Sequence, residues 1–187
     1  MGKRVGVLAL QGDFEAHCKV LRRLGAEPVE VRTERELEGL DGLVIPGGES
    51  TTMLKLLHLE NLFEPLRRFG EQKSIFGTCA GAILLARHVT NPVQPSFGLM
   101  DIEVERNAYG RQIDSRIVHI SGEGFEDIEA VFIRAPIIRA TGAGVKVLAR
   151  YRGTAVLAEE GRHMVATFHP ELTADPRIHR MFLSKLD

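Results

Sequence analysis

The sequence predicts a three-layer α/β sandwich, with a mostly parallel central sheet, helices on both faces and some antiparallel strands in the second half. Three observations predict it. From Arg4 to Arg87, short apolar runs alternate with stretches whose apolar residues recur at helical spacing, and such alternation gives parallel strands joined by right-handed crossovers. From about Leu99 the runs are strand-like and follow one another across turn residues such as Arg152-Gly153 and Glu160-Gly161-Arg162, the texture of partly antiparallel pairing. The length of 187 residues suits a single domain over residues 1–187, large enough to bury roughly 70% of its unfolded surface.

In order along the chain, Arg4 to Leu10 reads as a buried strand. Asp13 to Leu24 has apolar or small residues at Phe14, Cys18, Leu21 and Leu24 before Gly25, which is helix spacing with a glycine stop. Pro28 to Arg32 is a second strand, and Thr33 with Glu36 forms a capping box that opens a short helix. Gly42 to Ile45 is a third strand ending in Pro46-Gly47-Gly48. Thr51 to Phe69 is helical, with a break near Asn61 and an end at Gly70. Ser74 to Phe76 is a fourth strand, and Ala80 to Arg87 a helix rich in Ala, Ile and Leu. Beyond it, strands are expected at Leu99 to Glu105, Ser115 to Ser121, Ala130 to Arg134, Val145 to Tyr151, Thr154 to Glu159 and His163 to Phe168. A helix over Pro176 to Leu186 closes the domain. His88 to Phe97 and Gly122 to Asp127 carry no motif.

With 24 basic and 25 acidic residues interspersed, the net charge is -1, and no electrostatic case for nucleic acid or membrane follows. The apolar run after Met1-Gly2-Lys3-Arg4 is too short for a signal peptide, and nothing approaches 18 consecutive apolar residues; a cytoplasmic protein is expected. In that compartment the two cysteines, Cys18 and Cys79, are expected as free thiols.

Gly77-Thr78-Cys79-Ala80-Gly81 lies where the fourth strand turns into a helix, in the form of a nucleophile elbow with cysteine in place of serine. Small neighbours are needed there, because a side chain held at the tip of so sharp a turn forces strained torsions and leaves no room beside it. The helix that follows points its positive end at the sulfur. Cys18, on the inner face of a helix, is core. A thiol nucleophile needs a base and the base an orienting partner. Phe168-His169-Pro170-Glu171, directly after a strand, offers both. The other histidines, His17, His58, His88, His119, His163 and His179, are scattered, and no metal-ligand spacing is present, so no metal is expected. Pro46-Gly47-Gly48-Glu49-Ser50 ends the neighbouring strand and offers backbone N–H groups for an oxyanion; the N–H of Ala80 is the second candidate donor. The alternative for Ser50 is a plain helix N-cap.

Taken together, the cysteine elbow, the Gly-Gly loop and the His-x-Glu resemble the class I, triad-type glutamine amidotransferases along the whole chain. Six strings in order, Leu10-Gln11-Gly12, Pro46 to Thr52, Gly77 to Gly81, Val104-Glu105-Arg106-Asn107, Phe132 to Pro136 and Phe168 to Thr173, are similar to the glutaminase subunits of pyridoxal 5'-phosphate synthase. That resemblance implies hydrolysis of L-glutamine to glutamate and ammonia by Cys79, His169 and Glu171, with no cofactor. It implies glutamine held at Gly47, Gly48, Glu49, Arg106, Ile133 and Arg134, with Gly48 and Ala80 as backbone oxyanion donors. It also implies a hetero-oligomer in which a separate synthase subunit consumes the ammonia. Arginine suits the carboxylate of free glutamine, although Arg134 fits a structural ion pair as well, and Gln11 faces either the site or the partner. Two other readings stay open, the glutaminase of a histidine or purine pathway and a binding module with a vestigial site, while the His-Pro-Glu after the last core strand argues against a cysteine hydrolase of the same fold.

Overall fold

The structure is a computed structural model and describes residues 2–108 and 115–187. Its first half alternates as expected: β1 (Arg4–Leu8), α1 (Phe14–Arg23), β2 (Glu27–Val31), a 3-10 turn (Glu34–Leu37), β3 (Gly42–Ile45), α2 (Ser50–Leu59), α3 (Phe63–Gln72), β4 (Ser74–Thr78) and α4 (Ala80–Leu85). The Asp13 carboxylate caps α1 by accepting from the Ala16 N–H at 3.3 Å, and Thr33 with Glu36 forms the capping box at the 3-10 turn. The break between α2 and α3 falls at Asn61, whose φ of 55° is a left-handed conformation that asparagine tolerates better than most residues.

The remaining elements are β5 (Ala86–Thr90), β6 (Met100–Glu105), β7 (Arg116–Gly122), β8 (Phe125–Phe132), β9 (Ile137–Thr141), β10 (Lys146–Tyr151), β11 (Thr154–Glu160), β12 (His163–Ala166), a 3-10 turn (Pro170–Leu172) and α5 (Arg177–Leu183). Several expectations are corrected. The helix from Ala80 stops at Leu85, because Ala86 turns extended (φ -62°, ψ 147°) and starts β5, an element without a sequence signal. Likewise β9 emerges after Pro136. The strand expected at Ala130 to Arg134 begins earlier, at Phe125, and ends at Phe132, since Arg134 has φ 43° and cannot continue a ladder.

Nine strands form one sheet in the order β2-β1-β3-β4-β12-β11-β10-β7-β8. The first five are mutually parallel, and from β12 onward each neighbour is antiparallel. A separate three-stranded sheet, β5-β6-β9, packs alongside. Strand alternation sends side chains to two cores. Leu43, Ile45 and Ile75 join Met53, Leu57, Leu62, Leu66 and Leu84 with Met100 and Val104 on one face. Val5, Val7, Val44 and Phe76 join Cys18, Leu21, Ile178 and Phe182 on the other. So α2, α3, α4 and the small sheet cover one side, and α1 and α5 the other. The carboxyl ends of β3, β4 and β12 are adjacent, which is where open α/β sheets place their sites.

Candidate active site

Cys79 stands alone between the end of β4 and the start of α4, with φ 50° and ψ -105°. A non-glycine residue is rarely held at positive φ, and here the surroundings hold it. The Cys79 N–H donates to the Ala166 carbonyl of β12 at 2.8 Å. The flanking glycines are required by contact. A Cβ on Gly77 would sit 2.5 Å from the Gly81 carbonyl, and one on Gly81 would overlap the Ile45 carbonyl oxygen of β3. The elbow is therefore pressed into the sheet on both sides, and the sulfur projects beyond it, 4.0 Å from the Ile133 carbonyl.

His169 follows β12, the strand hydrogen-bonded to β4. Its backbone N–H donates to the Val131 carbonyl at 2.8 Å, so the far strand of the sheet, β8, curls back to the site and delivers Ile133 and Arg134 there. Nδ1 of His169 lies 2.7 Å from Oε1 of Glu171. That leaves the other ring nitrogen for Cys79. Burial disfavours the imidazolium, but hydrogen bonds and charge from Cys79 and Glu171 outweigh it and push the His169 pKa up to about 10. An imidazolium held between a thiol sulfur and a carboxylate can donate a proton to a leaving group and later take one from water.

Gly47 lies against this pair: an added Cβ would overlap Cε1 of His169 and come within 3.1 Å of the Cys79 Cβ. Gly48 has φ 146°, and the N–H of Glu49 donates to Oε1 of Gln11 at 3.0 Å. Glu49, not Ser50, is the N-cap of α2. Its carboxylate accepts from the N–H groups of Thr51 and Thr52 and from the Thr52 hydroxyl at 2.7 Å. Burial opposes the Glu49 charge, yet these donors pull its pKa down to about 2. The Ser50 hydroxyl donates instead to Oε1 of Gln94 at 3.3 Å. Ala80, first in α4, has an N–H with no partner inside the helix.

A cavity of about 270 Å³ opens over the sulfur, lined by Gln11, Gly48, Glu49, Ser50, Cys79, Ile83, Arg106, Asn107, Ile133, Arg134 and His169. Every residue expected to hold substrate lines it except Gly47, which lies beneath His169. Nη2 of Arg106 donates to the Thr51 hydroxyl at 2.6 Å and faces Glu49 at 3.6 Å, while its Nε is buried without a partner among the described residues. Among the described residues Arg134 has no ion-pair partner; it is exposed at the mouth. Cations and an anion thus share one small pocket, the complement of a free amino acid's carboxylate and ammonium groups.

Two residues that reading the motifs left unassigned lie directly behind this constellation. His17 of α1 is fully buried, with Nε2 3.4 Å from Oε2 of Glu171 and 3.3 Å from the Thr78 hydroxyl. Its Nδ1 lies 2.8 Å from Nε2 of His179 in α5. Asn107 was legible only as part of the string around Arg106.

The profile of the SNO glutamine amidotransferase family matches residues 7–187. The pyridoxal 5'-phosphate synthase subunit PdxT of Solibacter usitatus is 61% identical, covering 98% of this chain and 100% of its own length. The subunit of the same name from Pelotomaculum thermopropionicum is 57% identical over 97% of this chain and 94% of its own. A crystal structure of a glutamine amidotransferase superposes with a TM-score of 0.91 at 49% identity, covering 97% of each chain. PurLQS from Thermotoga maritima shares the fold alone, at 18% identity and a TM-score of 0.73 over 98% of this chain and 99% of its own.

Proposed function

The chain belongs to the SNO glutamine amidotransferase family, and from that premise we propose that residues 1–187 act as one amidotransferase domain, the glutaminase subunit of a pyridoxal 5'-phosphate synthase. It hydrolyses L-glutamine to glutamate and passes the ammonia to a separate synthase subunit. The observation that carries this reading is the 2.7 Å pair of His169 and Glu171, set one strand away from the elbow of Cys79 beside a pocket with Arg106, Arg134 and Glu49.

In this reading the Cys79 thiolate attacks the side-chain carbonyl carbon of glutamine, and the N–H groups of Gly48 and Ala80 receive the oxyanion. The carbon–nitrogen bond breaks as the His169 imidazolium gives its proton to the departing nitrogen, releasing ammonia and leaving a γ-glutamyl thioester. Water then attacks that thioester with His169 as base, the sulfur leaves, and glutamate is free. Glu171 holds the imidazole so that its free nitrogen meets the sulfur. Arg106 and Arg134 take the α-carboxylate of glutamine. The Glu49 carboxylate takes its ammonium, and the backbone of Ile133 borders the reacting amide.

The test is the rate of glutamate formation with and without the synthase subunit. A rise on its addition is expected, with loss of at least about 10³-fold on Cys79→Ala in the complex. No response to that subunit, with activation by the acceptor of another amination pathway, would reassign the partner. Undiminished turnover by Cys79→Ala would remove the triad.

A further inference from the structure

The catalytic carboxylate has two oxygens, and only Oε1 is taken by His169. Oε2 is fully buried and, among the described residues, has no hydrogen-bond partner at ordinary geometry, which for a carboxylate oxygen is expensive. Nε2 of His17 lies 3.4 Å from it. We propose that His17, held by His179, is a positioning residue for the reaction: it donates from Nε2 to Oε2 of Glu171 and so fixes the carboxylate that fixes the base.

The tautomers follow from the contacts. With the proton on Nε2, His17 points an N–H at both Glu171 Oε2 and the Thr78 hydroxyl, and its bare Nδ1 accepts from the Nε2–H of His179. The opposite tautomer would turn a nitrogen lone pair toward a carboxylate oxygen 3.4 Å away, too close for anything to separate them. It would also leave the buried Nδ1 of His179, which has no partner, carrying an unsatisfied donor instead of an unsatisfied acceptor. Both rings stay neutral. His17 is lowered well below its ordinary pKa by burial first and by the His169 charge, and His179 falls to about 4 through burial and the nearby Arg23. A neutral donor suits the role, because a second cation beside Glu171 would compete with His169 for the carboxylate. The relay joins four parts of the chain: α1 and α5 on one face of the sheet, Thr78 at the end of β4, and the loop after β12.

The inference rests on the glutaminase reading, and the experiment separates the two. In the complex with the synthase subunit, kcat, KM and the pH profile of glutamine hydrolysis are measured for His17→Leu and His17→Gln, with Cys79→Ala as reference. His17→Leu removes the donor at similar volume and should lower kcat about tenfold or more with KM nearly unchanged. It should also move the alkaline limb of the profile to lower pH. The sign follows because His169 must be protonated to expel ammonia, and a less firmly held Glu171 supports that charge less well. His17→Gln places an amide N–H where Nε2 stood and should recover most of kcat and the limb. Unmoved limbs in His17→Leu, or equal loss in both variants, would overturn the role. If His17→Leu does not fold, His179→Leu frees the His17 tautomer and is read the same way: an unmoved limb overturns the role, a lowered one supports it. Full activity in Cys79→Ala would instead defeat the glutaminase reading beneath it.

Discussion

At Gly47 the site admits no side chain at all, since the glycine touches the ring of His169 and the Cβ of Cys79. Gly47→Ala is therefore expected to displace the base, with kcat falling by about 10²-fold or more while the fold loses roughly 1–3 kcal/mol; steady-state kinetics and thermal melts separate the two losses. The cysteines differ as sharply. Cys18 is enclosed between α1 and the sheet, and burial raises its pKa, with Glu30 adding to the effect. Cys79 faces the cavity. Iodoacetamide should label Cys79 in the native protein and reach Cys18 only after unfolding, as peptide mapping would read. That Cys79, His169 and Glu171 come together was legible because each lies in a short string at a strand end. His17 and His179 were not: each is an ordinary helix residue, and their meeting across 162 positions exists only in the folded chain. Glu49 was legible as a pocket residue, but the cap of α2 that it forms is a role for which the sequence offers Ser50 as the alternative, one residue away.

Among the elements, β4 owes its entry point to a histidine. The Ile75 N–H donates to Nδ1 of His163 at 3.2 Å, so that nitrogen must be unprotonated, and burial lowers the His163 pKa to about 4. His163→Ala leaves a buried N–H orphaned within the strand that leads to Cys79. The expected loss is about 1–3 kcal/mol, or roughly 3–10 °C in melting temperature, by calorimetry. The strands of the parallel half were legible from apolar runs bounded by Gly and Pro. The strand β5 was hidden because Ala86 continues the apolar helix without a break and His88 and Arg87 face water, so neither period nor punctuation marks the switch. In β9 only Ile137 and Ile138 are buried, too few to show alternation.

Over the whole molecule, three buried neutral histidines set the acid limit of stability. For His17, His163 and His179 the folded pKa lies below the ordinary 6.5, so the unfolded chain binds more protons and stability falls as pH drops from about 6.5 toward 4. Each histidine contributes at most about 1.4 kcal/mol per pH unit in that window. His169 works in reverse: its stabilisation is complete below about 6.5 and is lost as pH rises toward about 10. Melting temperature against pH should peak near neutrality, and His163→Ala should flatten the acid side. The three-layer plan was readable from alternation alone. The curl that returns β8 to His169 was not, because no local pattern encodes where the last strand of a sheet comes back.

The strand that leads to Cys79, β4, pairs with β12, which lies almost ninety residues later. Contacts of such separation form late, and during synthesis the amino-terminal part is made and can collapse first. Until β12 arrives, the Cys79 N–H lacks the Ala166 carbonyl and the sulfur has no imidazole. A chain cut before His163 would therefore carry the Cys79 elbow without the Ala166 carbonyl and the imidazole that meet it in the fold.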